Sequence, residues 1–189
     1  MDFPTAISIF ASVALAVAGF LFSYFYNLNL EGKKSRLEWI NRQLNNFYGP
    51  LLAIVRSNEE AWQNFISKYD HNPNFYKNEN KPTPEQLAEF HHWMTTVFIP
   101  NNERLYEIIV NETSLIEGDE MPKVLLNLLA HLLEFKIVFH RRENEHAEVG
   151  ETKAKYPGKA LLKYCEGEFR RLKREQGKLL KSIKKKKKN

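Results

Sequence analysis

From Phe3 to Leu30 the chain carries no charged side chain. Residues 6–26, "AISIFASVALAVAGFLFSYFY", are long enough as a helix to cross a hydrocarbon core about 30 Å thick. A cleaved signal peptide is the competing reading, because "ALA" and "AVA" imitate cleavage sites. The segment lacks a basic start, however, and its apolar character runs well past those sites. A buried helix of a soluble domain would keep a polar face, and this one has none. Tyr24 and Tyr26 stand where an aromatic belt would meet the membrane interface. Lys33, Lys34, Arg36 and Arg42 follow the span, whereas only Met1 and Asp2 precede Phe3. The positive-inside bias therefore puts the N-terminus outside and residues 31–189 in the cytoplasm. The sequon at Asn111 ("NET") would be used only in the opposite topology and in a eukaryotic host.

The other end of the chain is the reverse in character. "KLLKSIKKKKKN" holds seven lysines, Lys178, Lys181, Lys184, Lys185, Lys186, Lys187 and Lys188, and no acid. Removing those seven from the net charge of +5 leaves the rest of the chain at −2. The basic character therefore belongs to a tail and not to a folded nucleic-acid-reading surface. Close to an anionic leaflet each lysine contributes about 1 kcal/mol, screened over a Debye length. These seven lysines are accordingly the candidate contact with anionic lipid head groups, with nonspecific nucleic-acid binding ranked below. Cys165 is the only cysteine, which excludes an intramolecular disulfide and CxxC metal chemistry.

Between the two ends the pattern is helical. Leu37, Ile40, Leu44, Phe47 and Leu51 recur at three- and four-residue steps, and Gly49-Pro50 predicts a kink or break in that run. Ser57 and Glu60 have capping-box spacing and predict a helix start, with Trp62, Phe65, Ile66 and Tyr69 on its apolar face. "DHNPNFYKNENKP" reads as a polar loop. Thr83-Pro84-Glu85 opens the next helix with a cap, a first-turn proline and an acid at the positive end of the helix dipole. Pro100 kinks or splits that helix. "KVLLNLLAHLLEFKIVFH" is apolar nearly all round, with a narrow stripe of Lys123, Asn127, His131 and Glu134, and predicts a central helix. It is not a second span, since His131, Glu134 and Lys136 would sit in lipid at a cost of several kcal/mol. "RRENEHAEVGETKAKYPG" reads as a charged loop. A last amphipathic helix from Lys159 uses Leu161, Cys165, Phe169, Leu172, Leu179 and Ile183. The expected fold is all-α, an N-terminal transmembrane helix followed by an antiparallel bundle of four or five amphipathic helices. The expected divisions are an anchor (1–30), a cytoplasmic helical domain (31–183) and a polylysine tail (184–189).

No P-loop, GxGxxG, G-x-S-x-G or HExxH occurs. Two E-x-x-H spacings do, Glu89 with His92 and Glu143 with His146, and such pairs hold metal in di-iron bundles when they point inward. Glu143 and His146 lie in a polar stretch, and Glu89 lies off the apolar stripe of Leu87, Phe90 and Met94. The metal candidates are thus Glu89, His92, His131 and Glu134, set against the reading of surface coincidence, and no cofactor is expected. His131 and Glu134 would form an acid–base pair if their stripe lined a groove. His91 borders the core. Cys165, on an apolar face, reads as a buried inert thiol.

The runs "NNFYGPLLAIV", "VFIPNNERLYEII", "LIEGDEMP" and "LLNLLAHL" resemble a group of uncharacterised bacterial membrane proteins with one N-terminal span and a cytoplasmic helical domain. The likeness covers most of residues 31–140. It implies bacterial origin and architecture, and it implies no activity. The expectation is therefore an inner-membrane protein whose helical domain binds another protein or itself, through Gly49-Pro50, the acidic turn from Glu117 to Glu120, and the surface near His91 and His92. A metal-binding or enzymatic bundle, and a membrane-bound stress or defence effector, are the alternatives.

Overall fold

The computed structural model describes residues 3–69, 82–145 and 153–186. Their regular elements are helical, with no strand among the described residues. They are α1 (Phe3–Arg42), α2 (Gly49–Ser67), α3 (Pro84–Trp93), α4 (Ile99–Asn111), α5 (Lys123–Glu145) and α6 (Gly158–Lys186). A π turn, Gln43–Tyr48, joins α1 to α2, and a second, Met94–Phe98, joins α3 to α4. The N-terminal helix is long and apolar enough to cross a membrane, its best window having a mean hydropathy of 1.5. The loop read from Asp70 to Pro82 lies outside the described residues except for its last, Pro82.

The chain divides into two compact units, one made of residues 1–41 and 174–189, the other of residues 42–173. In the first unit the end of α6 runs back along α1. Asn41 Oδ1 accepts from Gln176 Nε2 at 2.7 Å, Lys33 Nζ donates to Ser182 Oγ at 2.8 Å, and Arg36 closes a two-pronged pair on Glu175 at 2.7 and 3.1 Å. Higher numbers on α6 meet lower numbers on α1, so the two segments are antiparallel. Ile40 is buried, and Leu30, Leu37, Leu179 and Ile183 are half-buried. On each helix these positions recur at three- and four-residue steps, the spacing of one helical face.

The second unit contains both prolines that the sequence marks as breaks, and neither breaks its helix. Pro50 and Pro100 each occupy the second position of an α-helix that continues directly from a π turn. In each turn the N–H before the proline reaches five residues back, Gly49 to Leu44 and Ile99 to Met94. The wider turn relieves the clash between the proline ring and the carbonyl one turn earlier and re-pairs the groups the proline leaves over. The first of the two turns packs inward. Gln43, Leu44, Phe47 and Tyr48 are all buried. Pro100 therefore neither splits its helix nor leaves a gap, and Gly49-Pro50 lies inside a helical path.

Two other expectations change. Ser57 does not start a helix: α2 already runs from Gly49, and Ser57 Oγ donates back to the Ile54 carbonyl at 3.0 Å. The α5 helix is not central. It buries Leu125, Leu128 and Leu132 but leaves Leu126, Leu133 and Ile137 at 50%, 50% and 61% exposure. It also extends through Glu145, into the stretch read as loop. The cap of α3 forms as the sequence reads, with Gln86 closing the box: Thr83 Oγ1 accepts from Gln86 N, and Thr83 N donates to Gln86 Oε1 at 2.8 Å. The aromatic core gathers at one end, where Phe65 lies 5.7 Å from Trp62, 6.0 Å from Phe90 and 5.8 Å from Trp93 between ring centroids.

Gly49 is a residue the first π turn requires. A Cβ there would fall under 3.0 Å from the backbone carbonyl oxygen of Leu44, which cannot rotate away. Gly49→Ala is expected to destabilise the protein by about 1–3 kcal/mol. Gly177→Ala, in α6 with open space around it, should stabilise by up to about 1 kcal/mol. Thermal unfolding of the two variants beside the parent checks both signs.

Candidate functional site

The Gly49-Pro50 turn and the acidic turn are brought together in the second unit. Gln43, carried inward by the π turn, donates from Nε2 to the Leu115 carbonyl at 2.8 Å. This fixes the short 3₁₀ segment Thr113–Leu115 from which the acidic turn departs. Gly118, at φ 104°, allows that turn a left-handed backbone that a side chain would strain. Glu117 at its head pairs with Arg171 at 2.8 Å, and Arg171 also holds Glu168 at 2.8 Å. These three side chains are each about one-third exposed. Beside them the hydroxyls of Tyr48 and Tyr164 lie 3.3 Å apart. Burial raises the pKa of both phenols, so both stay neutral and serve as hydrogen-bonding groups. Asp119 and Glu120 are exposed. The arrangement ties the first π turn, the acidic turn and α6 into one polar seam. Gln43, Tyr48, Tyr164 and Arg171 are its working members, and periodicity did not single out any of them.

The candidate metal and acid–base residues fall into separate local roles. Glu89 accepts from Lys68 Nζ and, at 3.0 Å, from the Tyr69 hydroxyl. Those two donors hold its carboxyl below the usual range. His92 is exposed, with Nδ1 3.5 Å from the Thr96 hydroxyl. His91 stacks on Phe139 at 6.1 Å. Of the second E-x-x-H pair, Glu143 lies in α5, whereas His146 lies outside the described residues.

His131 and Glu134 do act together, on a peptide. Glu134 takes the backbone N–H groups of Lys153 and Ala154, each at 2.7 Å, and His131 Nδ1 donates to the Ala154 carbonyl at 2.7 Å. One turn of α5 thus grips both sides of Ala154 just before α6 begins. The Tyr156 ring packs edge-on against His131 at 5.5 Å. Each side chain bonds the backbone around Ala154, and the pair describes a clamp. Among the described residues no group of three or more His, Cys, Asp or Glu side chains gathers as a metal site. Cys165 is fully buried, and burial pushes its thiol up to about 12. At neutral pH it is a packed apolar group and no nucleophile.

A groove of about 670 Å³ separates α4 from α5. Ile99, Leu132, Phe135 and Phe139 supply its apolar lining, and Glu103, Tyr106 and Lys136 stand at its edge. Of the lysines read as lipid contacts, Lys178, Lys181, Lys184 and Lys185 are exposed along α6, and Lys186 is its last residue. Lys187 and Lys188 lie outside the described residues.

The two backbone N–H groups on Glu134 lower its pKa below the ordinary 4.5. A lowered carboxyl contributes stability that is complete above its unfolded value and is lost as the pH falls through its folded value. Acid unfolding of the parent should therefore steepen below about pH 4.5 relative to Glu134→Gln, whose amide cannot titrate. Parallel acid limbs in a pH series of thermal unfolding would rule out the clamp as a source of acid sensitivity.

The chain matches no protein-family model, and comparison with curated proteins and with solved structures returns no significant match.

Proposed function

We propose that this is a single-pass protein of the bacterial inner membrane, N-terminus outside, whose helices after the anchor form a cytoplasmic bundle that binds protein at the membrane surface, with its lysine-rich end resting on anionic lipid. The observation that carries this reading is the antiparallel register of α6 on α1. With Lys33 beside Ser182, one further turn of α6, about 5.4 Å, brings Lys184, Lys185 and Lys186 level with residues 29–32. That is where the uncharged run from Phe3 ends. The tail's charges are thereby delivered to the same end of the span as Lys33, Lys34 and Arg36, and both groups favour the cytoplasmic, anionic leaflet. Neither Lys184 nor Lys185 stands against a carboxylate of its own turn, because the last twelve residues hold no acid.

The protein-binding part of the reading rests on the exposed apolar face of α5 and on the absence of catalytic signature in the sequence. A helical domain that leaves large apolar side chains outward is built for a contact that the single chain does not make.

The lipid contact is tested with a spin label at Lys185→Cys in the full-length protein, reconstituted in nanodiscs. Buried Cys165, its thiol raised to about 12, should label little, and a Cys165→Ser background removes it. In phosphatidylglycerol discs the label should be slowed and shielded from an aqueous relaxing agent, and it should be freed by high salt. In phosphatidylcholine discs it should stay free. Identical spectra in the two lipids would overturn the lipid contact.

A further inference from the structure

The end of α6 meets α1 at three polar rungs, and the rung nearest the span differs from the others. Asn41 and Gln176 pair as two neutral amides. Arg36 has a carboxylate, that of Glu175, at 2.7 Å. Lys33 has only a neutral hydroxyl, that of Ser182, at 2.8 Å. Among the described residues no carboxylate takes the place of the missing anion. Glu31 pairs with Lys34 at 2.7 Å, Glu175 is held by Arg36, and no acid follows Glu175 in the chain. Lys33 and Ser182 are each half-buried, so the charge is partly withdrawn from water without a counter-charge.

The hydroxyl of this rung also keeps its hydrogen to give. Ser12, Ser57 and Ser67 each donate back to a carbonyl of their own helix. Ser182 accepts from Lys33 and, among the described residues, donates to no carbonyl. A hydroxyl that accepts one bond still has its O–H, and an ammonium has three donors. Two such donors side by side, carrying a net positive charge, match two oxygens of one phosphate. Lys178 and Lys185, four residues before and three after Ser182, are exposed on the same strip of α6 and add charge on either side. The depth is that of lipid head groups. As a helix the uncharged run Phe3–Leu30 is about 42 Å long, against about 40–45 Å for a hydrocarbon core with both head-group layers. Lys33 lies within one turn of the end of that run.

We propose that Lys33 and Ser182 form a discrete site for the phosphate of one membrane lipid, which clasps the end of α6 to α1. The proposal rests on the reading of the lysine-rich end as a lipid contact and names the group that this contact holds. The bound phosphate gives Lys33 the counter-charge that Glu175 gives Arg36, and it takes the Ser182 hydrogen. The remaining lysines of the tail act as a diffuse field around this one specific contact.

The test counts phosphatidylglycerol retained by the full-length protein, by native mass spectrometry from detergent across a lipid titration. The unaltered protein should retain one lipid per chain ahead of any other. Lys33→Gln and Ser182→Ala should each retain it at least about tenfold more weakly, with unchanged thermal unfolding, and Ser182→Thr should bind as the parent does. Lys34→Gln, which removes the same charge from the next residue, should leave retention unchanged. Equal losses for Lys33→Gln and Lys34→Gln, or full retention by Ser182→Ala, would overturn the proposal and leave only a diffuse field. Inorganic phosphate at the lipid's concentration should not displace the lipid. Displacement would give the site to a soluble phosphate and overturn the lipid assignment. The two readings fail separately. A lipid-sensitive label at Lys185→Cys, with retention unaffected by Ser182→Ala, overturns the site and leaves the lipid contact standing. A label that reports no difference between lipids, with no lipid retained, overturns both.

Discussion

A proline inside a helix withholds one donor and presses against a carbonyl one turn earlier, and this chain meets that demand twice in the same way. At Gly49-Pro50 and at Ile99-Pro100 the turn before the proline widens, so that the N–H preceding it reaches five residues back. Much of the second unit depends on the outcome. The first wide turn sends Gln43 inward to hold the Leu115 carbonyl, which fixes the segment that presents Glu117 to Arg171. It also buries Tyr48, whose hydroxyl meets that of Tyr164 on α6. Gly49 is the residue that makes the close approach of the Leu44 carbonyl affordable. Without the wide turns the two helices would have to stop at their prolines, and the polar seam would lose the backbone that positions it.

Polar side chains in this protein are spent mainly on backbone and on neighbouring helices. The α5 clamp is the clearest instance. A histidine and a glutamate at a spacing associated with metal or proton transfer instead hold the two peptides on either side of the Ala154 Cα. A carboxylate accepting two backbone N–H groups is strongly satisfied, and it sets where α6 starts. Arg171 does similar service with Glu117, and Arg56 with Glu166. These are cross-links between segments distant in sequence, and they account for charged residues that would otherwise invite a catalytic reading.

The sequence made the helical class, the apolar N-terminal helix and most buried positions legible, because those follow from composition and a three-to-four step. Ile40, Phe47, Leu51, Leu161, Cys165 and Leu172 are buried as their spacing requires. Thr83 caps as its neighbours require. What could not be read was how each proline would be accommodated, since a kink, a break and a wide turn share the same local signature. From that came the mistaken helix start at Ser57, whereas Gln43 and Tyr48 flank the Ile40–Leu51 stripe and their polar groups hid them as inward residues. The placement of α5 was misread for a different reason: an apolar helix can owe its second face to its own core or to another molecule, and hydropathy alone does not separate the two. His131 and Glu134 were legible as a pair but not as a clamp, because their partner is a backbone peptide some twenty residues away.

The wide turn at Met94–Phe98 also sets an angle. Each residue of an α-helix turns the next side chain through about 100°, so the register of Met94 with Leu105 and Ile109 depends on how many residues lie between them and on how tightly they are wound. With the wide turn in place all three are buried. A chain one residue shorter here could wind regularly and keep the same side chains inward beyond the proline, but it would press the Pro100 ring against the carbonyl one turn earlier. The segment therefore holds a spare residue, which takes up the proline without turning the helix beyond it and leaves exposed Thr96 on the outer side of that turn.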